Sequence, residues 1–153
     1  MYECVMDSPV GRLLISADEI GLTAVHRPEA ALCEPCTPLL CDALRQLQAY
    51  FAGTLTAFDL PLHLTGTDFQ RRCWQALQEI PYGETISYGE QAKRIGKPKA
   101  TRAVGGANHR NPICIIVPCH RVIGADGTLT GYGGGVDKKA WLLMHERRVL
   151  GTK

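Results

Sequence analysis

The chain has 153 residues, is 45% hydrophobic and 21% charged, and carries a formal net charge of +2. These values suit a globular protein and exclude a low-complexity tail or a bundle of membrane helices, since no apolar run approaches the roughly 20 residues of a membrane span. The charge is uneven: residues 1–69 hold 3 Lys/Arg and 9 Asp/Glu, whereas residues 70–153 hold 14 and 6, which predicts two regions, the second facing something anionic.

Residues 1–27 read as short antiparallel strands. Tyr2, Cys4 and Met6 alternate, Asp7-Ser8-Pro9-Val10-Gly11 is turn chemistry, and Leu13 to Ala17 and Leu22 to His26 follow around a second turn at 18–21. The prolines of 28–38 mark a loop. From Pro38 the spacing becomes helical, with Leu40, Leu44, Leu47 and Phe51 on one face and Gly53 as the stop. Residues 55–64 read as extended, broken by Pro61. The first part is therefore a small α/β domain, 1–64, with a mainly antiparallel sheet.

Thr65-Gly66-Thr67 is the expected joint, and 65–153 the second domain. Thr67 with Gln70 matches a capping box, which predicts a helix over 68–79 burying Phe69, Cys73, Leu77 and Ile80. Pro81-Tyr82-Gly83-Glu84 stops it. Ser87 is the expected cap of a short helix from Gly89 to Ile95, Gly96-Lys97-Pro98-Lys99 is a tight turn, and Thr101 is the expected cap of a helix to about Asn108. An apolar strand at 113–117 leads into Pro118-Cys119-His120-Arg121. A hairpin turn at 124–127, a glycine loop at 131–135 and a last helix capped by Asp137 complete the chain, with Trp141, Met144 and either Leu142 or His145 facing inward.

Helix, short turn and helix over 87–108 have the size of a helix-turn-helix. Arg102-Ala103-Val104-Gly105-Gly106-Ala107 places two glycines inside a helix, each costing about 1 kcal/mol against alanine. Ala103, Gly105, Gly106 and Ala107 leave a nearly bare surface that another backbone can approach closely. Lys99 and neighbouring cations supply charge for phosphates, and Thr101 with the helix start offers N–H donors. Spacing alone leaves open whether a duplex or another helix of the same protein covers that surface. One arginine is poor at reading base edges in the major groove; a narrower groove suits it, with Arg102 wedged into the stack in place of a base rotated out.

There are seven cysteines. An odd number, in a chain whose start shows no secretory signal pattern, argues against a disulfide framework and for a cytoplasmic location. Cys119 is open to three readings: nucleophile, metal ligand or packed thiol. Adjacent strand residues point to opposite faces, so Cys119 meets His120 only through a turned backbone or a bridging water. Glu146 is the best carboxylate to orient that histidine, with His145 a weaker rival for the site. Asn111 is placed to brace the turn.

Pro118-Cys119-His120-Arg121-Val122 resembles the active-site signature of the O6-alkylguanine-DNA alkyltransferases. Arg102 to Ala107, Asn111-Pro112, Gly131-Tyr132 with its following glycines, and Trp141 to Glu146 also resemble blocks of that family, so the likeness spans about residues 68–147. The resemblance implies an α/β (α+β) chain with a ribonuclease-H-like first domain and a mostly helical, winged-helix-like second domain. It implies single-use repair of double-stranded DNA: Cys119 takes an alkyl group from guanine O6, or less readily thymine O4, and keeps it. His120 takes the thiol proton through water, Glu146 orients it, Asn111 supports the turn, and Arg102 intercalates from the minor groove. Tyr88 helps rotate the nucleotide and protonates the leaving base. Val122, Tyr132, Gly133 and Gly134 line the base pocket. Gly133 stands where some relatives carry a hydroxyl side chain, which implies a roomier pocket. A monomer with no cofactor is expected. A zinc site on Cys33, Cys36 and Cys41, Cys4 or His26 would rest on one CxxC without a clear second pair. The rival functions are a lesion-binding module without catalysis and a cysteine hydrolase using Cys119, His120 and Glu146.

Overall fold

The computed structural model describes residues 2–26, 34, 37–129 and 136–151, and the chain divides into two compact units. The first comprises 1–65 with 112–114; the second comprises 66–111 and 115–153.

In the first unit β1 (Tyr2–Met6), β2 (Leu13–Ala17) and β3 (Leu22–His26) form an antiparallel sheet in that order, with Cys4 opposite Ile15 and Ile15 opposite Val25. Alternation puts Cys4 and Met6 of β1 and Leu13 and Ile15 of β2 in the core, and a register shift opposite Ser16 and Ala17 lets both Leu22 and Val25 of β3 be buried. Helix α1 (Pro38–Ala52) starts where the Thr37 side chain accepts from the Leu40 N–H and ends at Gly53. Its buried stripe runs through Leu40, Ala43, Leu47 and Tyr50. Leu44 and Phe51, expected on that face, lie at its half-buried margin, because the buried stripe is centred to the other side of Leu40 and Leu47, on Ala43, Gln46 and Tyr50. Residues 55–64 are extended: Leu62 makes a parallel bridge to Leu22, while Gln46 exchanges two hydrogen bonds with the Asp59 backbone (2.8 and 3.0 Å). Ile113 bridges Val25 in the same way.

In the second unit α2 (Asp68–Gln78) begins with the expected capping box of Thr67 and Gln70. It packs with α3 (Tyr88–Arg94) and α4 (Thr101–His109), the pair joined by residues 95–100. Polar side chains lock the three helices from within. Trp74 Nε1 donates to the Ala107 carbonyl (2.9 Å), and Gln91 and Asn108 exchange amide hydrogen bonds (2.9 and 2.7 Å) while Gln91 also donates to the Cys73 carbonyl. Ser87 caps α3 as expected, its hydroxyl accepting from the Glu90 N–H. Thr101 is not a cap: Ala100 holds the cap position without a side-chain bond, and Thr101 is already helical. Strand β4 (Ile86–Ser87) pairs in parallel with β5 (Val122–Ile123), so the 124–127 turn forms but does not return a strand onto β5 among the described residues.

Helix α5 (Val136–Gly151) contains Asp137 in its first turn instead of before it. Its inward stripe is Lys139, Leu142, Leu143 and Glu146, with His145 also buried. Met144, expected inside, is 60% exposed. The sequence thus forms a small three-stranded sheet with a helix, followed by a helical unit containing a helix-turn-helix.

Candidate active site

The approach to Cys119 is not a strand. Beyond the bridge at Ile113 the chain turns, and Ile115 takes φ 73. A β-branched residue in the left-handed region costs about 1–2 kcal/mol, and burial of its side chain offsets this. The apolar residues 113–117 signalled burial, and all but the half-buried Cys114 are buried or nearly so; an apolar run does not by itself specify extended backbone.

Pro118 has φ −83 and ψ 68, and the Cys119 N–H donates to the Val117 carbonyl at 2.8 Å. This is an inverse γ-turn, which proline favours through its fixed φ. Asn111 Nδ2 donates to the same carbonyl at 2.8 Å. The turn that presents the thiol is therefore held from two sides. Cys119–Arg121 then form one turn of 3-10 helix, closed by Arg121 N–H to the Pro118 carbonyl and Val122 N–H to the Cys119 carbonyl.

The change from strand to 3-10 geometry brings His120 and Arg121 to α5. Glu146 lies there fully buried. Its Oε2 accepts from His120 Nε2 (2.6 Å) and Arg121 Nη2 (3.1 Å); its Oε1 accepts from Arg121 Nε (2.9 Å) and the Gly83 N–H (3.0 Å). Arg121 also donates to the Ile80 carbonyl (2.7 Å) and lies over the Tyr82 ring. Gly83 has φ 80, a conformation that suits glycine and turns its N–H toward the carboxylate.

Burial alone would raise the Glu146 carboxyl, but the hydrogen bond and charge of His120 and the Arg121 guanidinium hold it far below the usual carboxylate range. Burial pushes His120 below its ordinary 6.5, with Arg121 and Lys139 acting in the same direction and Glu146 opposing. An ionised carboxylate can only accept, so the imidazole proton lies on Nε2. The neutral ring then carries a lone pair on Nδ1, which is buried and has no hydrogen-bond partner among the described residues. The network is a carboxylate-oriented imidazole with its basic nitrogen available, directly following a buried thiol in the chain.

The other expected site residues fall in two places. Val122 is buried behind the 3-10 turn. Tyr88 begins α3 and is half-buried. A Cβ built on Gly105 would lie 3.8 Å from its ring, so Gly105 faces Tyr88. Lys99, Thr101, Arg102, Ala103 and Gly106 are exposed, whereas Ala107, expected on the same bare surface, is buried where α4 packs on α2. Arg102 has no hydrogen-bond or ion-pair partner among the described residues, and a Cβ on Gly106 would meet nothing within 4 Å. Tyr132, Gly133 and Gly134 lie outside the described residues, as do Cys33 and Cys36 of the zinc alternative. Among the described residues no group of three His, Cys, Asp or Glu could hold a metal ion.

Two residues joined to this site were given no role from sequence. Arg121 is a buried cation in an apolar run, a pattern that demands a carboxylate partner. Lys139 is 1% exposed, and its Nζ donates to the Tyr88 hydroxyl at 3.4 Å. Its spacing to Leu142, Leu143 and Glu146 (three, four and seven residues) was the available signal.

A thiol on a braced turn, followed by an oriented neutral imidazole, has the chemistry of a nucleophile with its base. Residues 68–148 match the family described as 6-O-methylguanine DNA methyltransferase, DNA binding domain, and residues 1–64 match its ribonuclease-like domain. The chain belongs to the 6-O-methylguanine DNA methyltransferase family. A methylated-DNA–protein-cysteine methyltransferase of Methanosarcina acetivorans is 53% identical over 153 residues, covering 95% of this chain and 98% of the relative. One of Mycolicibacterium paratuberculosis is 54% identical over 149 residues, covering 94% and 90%. The crystal structure of Mycobacterium tuberculosis OGT in complex with DNA matches with a TM-score of 0.88 at 53% identity, covering 95% of this chain and 92% of that one.

Proposed function

We propose that this protein repairs alkylated DNA by transferring an alkyl group from guanine O6, and less readily thymine O4, irreversibly to its own Cys119. The observation that carries this reading is the His120–Glu146–Arg121 network, which leaves His120 Nδ1 as a neutral acceptor one residue from the thiol. Through a bridging water His120 takes the Cys119 proton. The thiolate attacks the alkyl carbon, a C–S bond forms, the C–O6 bond breaks, and the base leaves after protonation by Tyr88. Every atom comes from DNA, the thiol and proton donors of the chain, so the reaction needs no cofactor. No step restores the thiol, and each molecule acts once.

The substrate reaches the thiol by leaving the duplex, which costs a few kcal/mol and least for a weakly paired base. Arg102 fills the vacated stack from the minor groove. Thr101, Ala103, Gly105, Gly106 and Lys99 supply close approach and phosphate contacts, with Gly105 acting through the ring of Tyr88 that it faces. Asn111 holds the nucleophile's turn. Val122, Tyr132, Gly133 and Gly134 line the base pocket. Residues 65–153 carry this chemistry and 1–64 form a separate domain, a division that the two family matches support. Cytoplasmic location belongs to the same reading; no helix among the described residues is long and apolar enough to cross a membrane.

The test is intact mass after mixing with a duplex oligonucleotide containing O6-methylguanine. The expected result is one added methyl on Cys119 and its loss from the DNA. No transfer at stoichiometric protein overturns the proposal; lesion binding without transfer would instead indicate a recognition module.

A further inference from the structure

Pro81-Tyr82-Gly83-Glu84 ends α2 by its turn chemistry, and the segment it begins also touches the buried network at three points. The Ile80 carbonyl accepts from Arg121 Nη1 (2.7 Å), the Gly83 N–H donates to Glu146 Oε1 (3.0 Å), and the Tyr82 ring centre lies 5.5 Å from the Arg121 guanidinium carbon. The loop is pinned in this pose. The Glu84 N–H closes the turn on the Pro81 carbonyl (3.1 Å), and a Cβ built on Gly83 would run into Leu150 at the end of α5. Tyr82 is half-buried, whereas Arg121, Glu146 and His120 behind it are buried. Its ring therefore stands between the ion pair and solvent. The phenol feels both charges: burial and Glu146 push its hydroxyl above the ordinary tyrosine value, and Arg121 opposes them.

We propose that Tyr82 is a positioning residue for the transfer step: its ring covers the Arg121–Glu146 pair and keeps water from the carboxylate that orients His120. The inference rests on the alkyl-transfer reading above. A guanidinium is attracted to the face of a tyrosine ring, and an ion pair kept dry is stronger than one in water. Arg121 and the Gly83 N–H then hold the carboxylate in one place, with its other oxygen on His120 Nε2. The consequence is read at His120. Burial is the largest cause holding it below the ordinary 6.5; Glu146 opposes, and Arg121 and Lys139 add smaller pushes downward. These groups face it from α5 (Glu146 and Lys139) and from its own turn (Arg121), with the Cys119 thiol before it in the chain and Tyr82 over the pair. Water admitted at Tyr82 weakens the burial first. The imidazole then takes a proton at higher pH and stops serving as the base there. The ring supplies this cover, and the hydroxyl is not needed for it.

Tyr82→Ala and Tyr82→Leu remove the ring and the conservative Tyr82→Phe keeps it, with thermal unfolding as the fold control and whichever of the first two folds carrying the test. The first readout needs no DNA: the His120 ring proton signal followed by NMR against pH, assigned by its absence in His120→Asn. The second is single-turnover methyl transfer from an O6-methylguanine duplex against pH. In the wild-type protein the His120 signal should remain that of a neutral ring below pH 6.5. Without the ring its midpoint should rise by about one pH unit, and transfer below the new midpoint should fall by about tenfold. The loss should shrink as pH rises, whereas a merely structural role would lower transfer equally at every pH. Tyr82→Phe should rescue both readouts. A wild-type His120 titration in a folded variant without the ring, a loss of transfer that does not depend on pH, or failure of Tyr82→Phe to rescue overturns the proposal. If the wild-type protein transfers no methyl at all, the alkyl-transfer reading falls, and the His120 titration still reports whether Tyr82 keeps the network dry.

Discussion

Two regions of the second unit use polar groups in opposite ways. Behind Cys119, Glu146, His120 and Arg121 are buried, the carboxylate and guanidinium paired and the neutral imidazole hydrogen-bonded to the carboxylate. On α4, Arg102 is exposed without a partner among the described residues, and Gly106 opens onto empty space. In the first region the protein itself orients the imidazole, the group proposed to act as the base. The second is incomplete alone and makes sense against another molecule. Chemistry and recognition should therefore respond to different mutations.

The largest expected effect comes from breaking the buried region. Glu146→Gln removes the charge that compensates Arg121 and orients His120. Breaking a buried pair this way costs about 3–5 kcal/mol, so the denaturant midpoint should fall sharply and methyl transfer should be lost with it. His120→Asn should spare more of the fold and slow transfer by about 10²–10⁴-fold, the usual contribution of a positioned base. A stable Glu146→Gln protein with normal transfer would show that the network is not what sets the chemistry.

Acidity tests the same region with its sign fixed. His120 is held below 6.5 in the folded chain by burial, while the unfolded chain keeps the ordinary value. The unfolded state therefore binds the proton first. The stability contributed by neutral His120 is complete above pH 6.5 and is lost as pH falls below it. Glu146, also held low, adds a second loss as pH falls below its ordinary 4.5. Thermal midpoints measured against pH should fall in those windows, with the upper one absent in His120→Asn. The transfer rate should persist below pH 6.5, where a free histidine would already be protonated.

The exposed region should give the reverse pattern. Arg102→Ala should leave stability within about 0.5 kcal/mol and leave reaction with the free O6-methylguanine base unchanged. Transfer from a duplex should fall roughly tenfold or more, since unstacking a base step costs a few kcal/mol that the arginine offsets. Gly106→Ala is the subtlest case. It should raise helix stability by about 1 kcal/mol while weakening duplex binding, because its methyl group enters the space kept clear on α4. Equal losses with free base and duplex in Arg102→Ala would dissolve the distinction between the two regions.

What was legible in the sequence follows the same divide. Caps with a side-chain mechanism, Thr67 with Gln70 and Ser87, form as their residue types require. The helix-turn-helix was visible from the length of its two helices and the turn between them, and the Cys119-His120 pair because reactive residue types are rare in apolar surroundings. Backbone geometry inside the apolar stretch was not. Residues 113–117 are hydrophobic because they are buried, and a turn with Ile115 at positive φ buries them as well as a strand would. The inward face of α5 was hidden because Lys139 counts as polar in any periodicity, so the stripe through Trp141 and Met144 looked stronger than the true one through Lys139, Leu142, Leu143 and Glu146. Arg121 stood in view inside the signature run, but its partner Glu146 lies 25 residues on and no spacing links the two.

That Cys119 is consumed in the reaction is tested most directly by titrating a fixed amount of protein with excess O6-methylguanine duplex and counting repaired lesions, with peptide mass locating the product. The expected result is one lesion repaired per protein molecule, one methyl on Cys119, and none in Cys119→Ala. More than one repair per molecule, or a methyl found on another residue such as Cys114, would contradict it.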